Sequence, residues 1–139
     1  MTDSGEPGAA AFEQAITVAE EDLDELRHVN NVVYLRWIQD IATAHWTAMA
    51  PREALESVAW VARRHEIDYL SAAVLGDELV VRTWVGEAEG LTFKRLTEIR
   101  RGKQVLARGR TLWVPIDRTT GKPRRVSDEV RALFSTPSR

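Results

Sequence analysis

The strongest constraint on the fold is a change in the spacing of apolar residues near residue 51. Before this point apolar side chains recur at i, i+4, i+8 and i+11, namely Val33, Trp37, Ile41 and Ala44. This spacing predicts a helix with a wide apolar stripe. Asn30 is a suitable N-cap and Pro51 is a suitable stop, so we expect one well-buried helix that runs to about Met49. Beyond Pro51 apolar and polar residues alternate as they do in strands.

Turn-forming pairs divide the second part of the chain into four strand-like runs. These pairs are Gly76-Asp77, Glu89-Gly90 and Arg101-Gly102. A β-prone patch around Ile16 predicts a further strand ahead of the helix, and Ser127 can cap a short closing helix. The predicted order is a strand, a long buried helix and then four strands in a meander. That order indicates an α+β fold with an antiparallel sheet.

Composition and charge bound the domain count and the function class. Residues 1–11 are rich in small and acidic residues and are expected to be a flexible tail, which leaves 12–139 as a single domain. Nineteen basic residues against 21 acidic ones give a net charge of −2, which offers no footprint for nucleic acid or an anionic membrane. No segment is typical of a membrane span or a secretory signal, so a cytoplasmic location is the default expectation.

Metal and disulfide chemistry are not expected. The chain has no cysteine, and its three histidines, His28, His45 and His65, lack the spacing of metal ligands. His45 lies on the apolar stripe of the predicted helix and is expected to be a core or interface residue.

Large apolar residues are too numerous for one buried face of a sheet. They include Trp60, Trp84, Trp113 and the pair Val80-Val81. We expect some of them to face a partner subunit, and the alternative is that they are ordinary exposed residues.

The segment from Asp22 to Tyr34 carries the candidate chemistry. It places Asp24 a few residues ahead of a helix N-terminus, where the first backbone N–H groups lack partners within the helix. Such donors can hold a developing oxyanion while a carboxylate attacks or activates water. A thioester suits this sparse site because a thiolate leaves without much acid help, its thiol pKa being about 8.5. The alternative is that Asp24 and Asn30 only cap the helix.

Three stretches carry a resemblance to a known family. They are DLDELRHVNNVVYL from Asp22 to Leu35, HEIDYLSAAVLGDELVVRTWV from His65 to Val85, and VLARGRTLWVPIDRTTGKPRRV from Val105 to Val126. Together they resemble the 4-hydroxybenzoyl-CoA thioesterase-like branch of the hotdog superfamily, in the same order and spacing. The resemblance covers nearly all of the chain after the N-terminal tail.

The resemblance implies a hotdog fold, in which an antiparallel five-stranded sheet wraps around a long central helix. It also implies a homodimer or homotetramer that hydrolyses acyl-CoA to free acid and CoA. No metal and no cofactor are implied, because coenzyme A is part of the substrate. The family's catalytic carboxylate, a nucleophile or general base, falls on Asp24, and the backbone N–H that polarises the carbonyl falls on Asn31. His28, Asn30 and Tyr34 fall on positions that line or shape the pocket mouth; His28 either steers Asp24 or ties down the loop.

Two departures from the family pattern bear on the substrate. Arg27 stands where many members carry Gly, and its side chain either meets a CoA phosphate or is solvated. The turn at Glu89-Gly90 lacks the basic residues with which aryl-CoA members hold the nucleotide phosphates. The mode of CoA binding and an aryl-specific substrate are therefore open, and an acyl-carrier-protein thioester is an alternative substrate.

Other functions fit the same residues less well or equally well. Hotdog dehydratases resemble each other through an Asp followed five residues later by His, whereas His28 follows Asp24 by four. An α/β-hydrolase type of thioesterase is disfavoured because GxSxG and cysteine are both absent. A carrier-bound polyketide thioesterase and a non-catalytic acyl-thioester binding module remain as alternatives.

Overall fold

A computed structural model describes residues 11–135 and contains five strands and three α-helices in that range. Their bounds are β1 Phe12–Thr17, α1 Asn31–Met49, α2 Arg52–Ser57, β2 Val58–Tyr69, β3 Glu78–Glu89, β4 Thr92–Arg101, β5 Gln104–Asp117 and α3 Asp128–Ser135. A single 3-10 turn, Glu20–Asp22, precedes α1. The expected flexible tail lies almost entirely outside the described residues. None of the helices in this range is long and apolar enough to cross a membrane.

The five strands form one antiparallel sheet in the order β1-β3-β4-β5-β2. The expectation of an α+β fold with a five-stranded antiparallel sheet and a long helix is confirmed. The expectation of a four-strand meander is wrong for β2, which pairs with β5 at the far edge of the sheet and not with β3. Only β3, β4 and β5 form a meander, through tight turns at Gly90 and Gly102 whose positive φ angles of 61° suit glycine.

Helix α1 begins and ends as its sequence predicts. The Asn30 side chain accepts a hydrogen bond from Val32 N at 3.0 Å and so caps the helix, and Ala50 terminates it one residue before Pro51. The apolar stripe packs on one face of the sheet, where Ile38 and Ile41 are almost completely buried in a core cluster that includes Val81. Burying one stripe of a helix on one face of a sheet is what holds this two-layer fold together.

Close approach of α1 to the sheet requires glycine at one position of β5. A Cβ atom built on Gly109 would lie 2.7 Å from Ile38 Cδ1, which is far inside van der Waals contact. Since Ile38 is 1% exposed, its side chain has little room to move away. Gly109 therefore sets how near the helix can lie to the sheet.

A second apolar cluster closes the C-terminal end of α1. It contains Trp46, Ala50, Ala54, Val58 and Phe134, and it is completed by α2 and α3. Helix α2 was not predicted, whereas α3 was: Val130 N donates to Ser127 Oγ at 3.2 Å. The short helices thus give the chain a second core of its own beside the sheet.

The large apolar strand residues differ in burial. Trp84 and Val81 are buried inside the chain, and Val80 is the exposed member of its pair. Trp60 and Trp113 are half-buried and lie in the wall of a cavity. The expectation that some of these residues face a partner subunit stays a prediction. Further large apolar side chains are exposed beside Val80: Leu26, Val32, Val61, Tyr69, Leu70, Val74, Leu75, Leu91 and Leu133.

Candidate active site

Asp24 lies in a tight loop immediately ahead of α1. A bridge between Leu23 and Val29 closes this loop, and Asp24 N donates to His28 O at 2.8 Å. One carboxylate oxygen, Oδ1, accepts from Leu26 N at 2.9 Å and from His28 N at 3.2 Å. Within residues 11–135 the other oxygen, Oδ2, accepts no hydrogen bond. The carboxylate is thus fixed by one oxygen, and the second has no hydrogen-bond partner among residues 11–135.

The first turn of α1 leaves one backbone donor without an acceptor. Val32 N is satisfied by the Asn30 side chain and Val33 N by Asn30 O at 2.8 Å. The Asn31 N–H, at the first helical position, has no acceptor among residues 11–135. An unpaired N–H at the positive end of a helix dipole can stabilise an oxyanion. Asn30 is the helix cap, as one alternative proposed, whereas Asp24 caps its own loop and not the helix.

Asp22 is occupied by structural contacts. It is 5% exposed, its Oδ2 accepts from Ala19 N at 2.9 Å, and its Oδ1 accepts from Arg36 Nη2 at 3.1 Å. Its backbone carbonyl also accepts from Asn30 N at 2.9 Å. Asp22 therefore caps its own turn through Oδ2 and ties the loop to α1 through Oδ1, so both carboxylate oxygens are already engaged.

Two tyrosines link the start of α1 to the segment after β2. Tyr34 is buried in the core, and its hydroxyl accepts a hydrogen bond from Ala73 N at 3.2 Å. Tyr69 donates to Asn31 O at 3.0 Å and packs edge-on against Tyr34. Burial raises the pKa of both hydroxyls, so both stay protonated near neutral pH. Tyr69 was missed by the sequence reasoning, because no local pattern links it to the helix start.

His28 and Arg27 are exposed at the loop tip. His28 contacts Asp24 through its backbone only. Its imidazole makes no hydrogen bond within residues 11–135, so it does not orient the carboxylate in this structure. Arg27 has a φ of 64°, and its guanidinium pairs with Glu20, whose pKa this hydrogen bond lowers. A left-handed φ is the conformation that glycine adopts most readily, so Arg27 stands at a position whose backbone suits glycine. The solvated alternative for Arg27 fits this exposed pair.

Exposed apolar side chains flank the loop. Leu26, two residues after Asp24, is 71% exposed, and Val32, the residue after Asn31, is 69% exposed.

A separate cavity of about 540 Å³ lies further along α1. Helix α1 lines this cavity from Gln39 to Trp46. Gln39 lies eight residues beyond Asn31, which is about 12 Å along the helix axis. None of its lining residues belongs to the segment from Asp22 to Leu35. The cavity and the Asp24 loop of the same chain are therefore distinct places. In residues 11–135 no cluster of three or more His, Asp or Glu side chains could hold a metal ion.

Comparison with known proteins places the chain in a family. The model of the thioesterase-like superfamily matches residues 18–134. The chain therefore belongs to the thioesterase-like superfamily, a family of thioester hydrolases, as the three sequence stretches predicted. No curated protein sequence gives a significant match.

Solved structures with the same fold are numerous. A thioesterase from Thermus thermophilus, complexed with coenzyme A and Zn, has a TM-score of 0.78 at 24% identity and covers 89% of this chain and 97% of its own. A predicted thioesterase from Bacillus stearothermophilus has a TM-score of 0.80 at 23% identity, covering 90% and 94%. A 1,4-dihydroxy-2-naphthoyl-CoA thioesterase from Synechocystis has a TM-score of 0.76 at 20% identity, covering 90% and 96%. At these identities the likeness establishes the hotdog fold.

Proposed function

We propose that this chain hydrolyses an acyl-CoA thioester to the free acid and CoA, with Asp24 as the catalytic carboxylate. The observation that carries the proposal is the pairing of two groups on one short segment. Asp24 has one oxygen held by two backbone N–H groups and one oxygen without a partner, and Asn31 N–H has no acceptor among residues 11–135. Membership of a thioesterase family supplies the reaction class.

In the proposed mechanism the two groups act on opposite parts of the thioester. The carbonyl oxygen would accept from Asn31 N–H, which stabilises the negative charge that develops as the carbonyl is attacked. Asp24 Oδ2 would either attack the carbonyl carbon or remove a proton from the attacking water. Collapse of the adduct breaks the C–S bond and expels the CoA thiolate. In the general-base route the proton that Asp24 took from water is then passed to the thiolate, which leaves the free acid and regenerates the carboxylate. In the nucleophilic route the thiolate takes up a proton from water, and a second water hydrolyses the acyl-aspartyl anhydride to the free acid and the Asp24 carboxylate.

We further propose that the active form is a homodimer or homotetramer. The outer edge of β2 carries no partner strand among residues 11–135, and this strand and the loop after it expose Val61, Tyr69 and Leu70. An open strand edge with exposed apolar side chains is a typical surface for pairing with a second chain. A second copy there would cover the face on which Tyr69 contacts Asn31 O. Sedimentation equilibrium measures the assembly directly.

The role of Asp24 can be tested with an isosteric variant. Asp24→Asn keeps an Oδ1 acceptor for Leu26 N and His28 N, so the loop should hold its shape while the base is lost. Thiol release from acyl-CoAs of short, medium, long and aryl type should fall by at least about 10²-fold. Glu25→Gln, which removes the exposed neighbouring carboxylate, is the matched control and should retain full activity. Full activity in Asp24→Asn would remove Asp24 from the mechanism.

The role of the Asn31 amide can be tested by replacing the residue with proline. Asn30 has φ −62° and ψ 136°, which suits a residue before proline, and proline is favoured at the first helical position. Asn31→Pro therefore removes the N–H and keeps the helix, and kcat should fall by about 10²–10³-fold. Asn31→Ala keeps the N–H and should stay near wild type. Equal rates for the two variants would rule out this donor.

The alternative substrates separate in the same assay. A carrier-bound thioester as substrate predicts turnover of an acyl group on acyl carrier protein and none of the same group on CoA. A binding module predicts no turnover of either, with retained binding of the thioester. Either result would overturn the acyl-CoA proposal.

A further inference from the structure

The cavity beside the second half of α1 has an aromatic lining. Its walls come from α1, β2, the neighbouring parts of β3, β4 and β5, and α3. The aromatic lining residues are Trp46, Trp60, Phe93, Trp113 and Phe134. Trp46 packs edge-on against Trp60 and stacks on Phe134, and Trp60 packs edge-on against Phe93. The ring centroids in these pairs are between 5.2 and 5.5 Å apart. At about 540 Å³ the cavity is in the size range of small-molecule sites.

Arg95 on β4 brings a charge to this aromatic wall. It is 8% exposed, and its Nη1 lies 2.9 Å from His45 Nδ1 and 3.3 Å from Thr83 Oγ1. Burial and the nearby guanidinium lower the pKa of His45 to about 4, so His45 is neutral at neutral pH. Among residues 11–135 no carboxylate pairs with Arg95. The guanidinium is therefore a buried cation whose contacts in this range are neutral groups.

Such an arrangement is energetically unfavourable in isolation. Removing a charge from water is costly, and only an opposite charge with good hydrogen bonds offsets that cost. Other half-buried arginines of the sheet have a carboxylate: Arg100 donates to Glu98 at 2.8 Å and Arg101 to Asp77 at 2.6 Å. Arg95 is the exception on the same strand.

The rest of the cavity wall is also rich in positive charge and donors. Lys94, Arg118 and Arg131 line it together with Arg95, against a single carboxylate, Asp40. The lining therefore carries four basic side chains against one carboxylate, and Arg95 among them contacts only neutral groups within residues 11–135, which matches a ligand that is an anion.

We propose that this cavity is a binding site for a small organic carboxylate, whose apolar body packs on the tryptophans and Phe93 and whose carboxylate pairs with Arg95. Flat bodies fit best, because aromatic walls favour offset or edge-on ring packing. A planar guanidinium binds a carboxylate through two parallel N–H···O bonds. The carboxylate belongs either to a free acid or to the far end of an acyl thioester. The proposal does not depend on Asp24, which lies outside the cavity.

Calorimetric titration of the full chain tests the site. The ligands are 1-naphthoate and octanoate, each compared with its neutral amide. The acids should bind at least tenfold more tightly than the amides, as expected for a charged hydrogen bond. In Arg95→Met that preference should disappear. Arg100→Met, which removes a cation from the same strand outside the cavity, should keep it.

Folding of the variant is checked separately. Arg95→Met removes an uncompensated buried charge, so its Tm should be equal to or above that of the wild type. Equal affinity for acid and amide in the wild type, or an undiminished acid preference in a folded Arg95→Met, would overturn the proposal. A third result would also overturn the proposal: the wild type binds no acid, and Arg95→Met changes the mass of the assembly. Arg95 would then pair with a carboxylate of a second copy.

The two sources of the carboxylate are separated by hydrolysis kinetics. If the acyl group carries it, adipoyl-CoA should have a lower KM than hexanoyl-CoA, and Arg95→Met should abolish the difference. If a free acid is the ligand, the two KM values should agree and 1-naphthoate should still bind. Asp24→Asn should bind 1-naphthoate like the wild type. A wild type that prefers the acid to the amide but hydrolyses no acyl-CoA counts against the proposed function alone, and a wild type that hydrolyses acyl-CoA but shows no acid preference counts against this site alone.

Discussion

Stability in mild acid should depend on one buried histidine. His45 is 3% exposed, stacks on Phe12 at a centroid distance of 4.9 Å, and contacts Phe134 edge-on. Burial first, and the charge of Arg95 second, lower its pKa from 6.5 to about 4. In the unfolded chain the imidazole regains its ordinary pKa. Between these two values the unfolded state binds a proton that the folded state does not, so stability is complete above pH 6.5 and falls as the pH drops towards 4.

The size of this effect follows from the two pKa values. A displacement from 6.5 to about 4 corresponds to about 3 kcal/mol of unfolding free energy, of which about 2.5 kcal/mol should be lost between pH 7 and pH 4.5. For a domain of this size that is a fall in Tm of about 10 °C. His65 is half-buried with a pKa that burial also lowers, so it adds a smaller loss in the same direction. The lowered carboxyl pKa values of Asp77 and Asp117 act at more acidic pH.

Urea denaturation in steps from pH 7.5 to pH 4.5 measures the loss. His45→Gln keeps an acceptor for Arg95 but cannot titrate, so most of the loss should vanish in this variant. His65→Gln is the matched control, and most of the loss should remain there. Measurements at two protein concentrations remove any contribution from dissociation of an assembly. If His45→Gln loses as much stability as the wild type, the acid sensitivity does not come from this buried imidazole.

Three further substitutions test the packing and the loop. Gly109→Ala should destabilise the fold by about 1–3 kcal/mol in urea denaturation, and most of that loss should disappear in an Ile38→Val background that lacks the clashing Cδ1 atom; additive effects would contradict the contact. Arg27→Gly should raise Tm by about 2–4 °C because it relieves the left-handed φ of 64°, and a lower Tm would mean that the exposed ion pair outweighs this strain. Asn30→Ala should remove about 1 kcal/mol with the helix cap and should lower kcat further than this loss explains; an unchanged kcat would show that the cap does not position the Asn31 amide.

Local features of the fold could be predicted because their signals are local. Asn30 and Pro51 bound α1, and the 3.6-residue period indicated its buried face. Alternation and turn residues indicated the strands in the same way. The place of β2 could not be read, because its pairing with β5 joins residues that are about 40 to 60 positions apart and no local pattern distinguishes it from pairing with β3. The meander was the simplest topology, and the sheet does not follow it.

The candidate site was predictable to the same extent. Asp24, Asn30 and Asn31 lie on one continuous segment whose spacing carries the signal. Tyr69 contacts Asn31 across 38 residues, so the sequence showed nothing of that contact. Arg95 was equally hidden: it stands in a charged, alternating run that is typical of a solvent-facing strand, and its partner His45 is 50 residues away. Its burial follows from contacts with His45 on α1 and Thr83 on β3, which the sequence of β4 alone does not encode.

Two aspartates stand two residues apart, and their surroundings predict different effects of the same substitution. Asp22 is buried, and both of its oxygens are engaged, by Ala19 N and by Arg36. Asp22→Asn should therefore lower the unfolding free energy by about 1–3 kcal/mol, because it removes the charge of a buried acceptor that holds both a backbone N–H and Arg36. Asp24→Asn should change stability by less than about 0.5 kcal/mol, since Oδ1 still accepts from the loop amides. Chemical denaturation and thiol-release kinetics on both variants separate a structural from a catalytic carboxylate. Asp22→Asn should keep its kcat in the folded fraction, and Asp24→Asn should lose it. The opposite pattern would place the reactive carboxylate at Asp22, although both of its oxygens already hold hydrogen bonds.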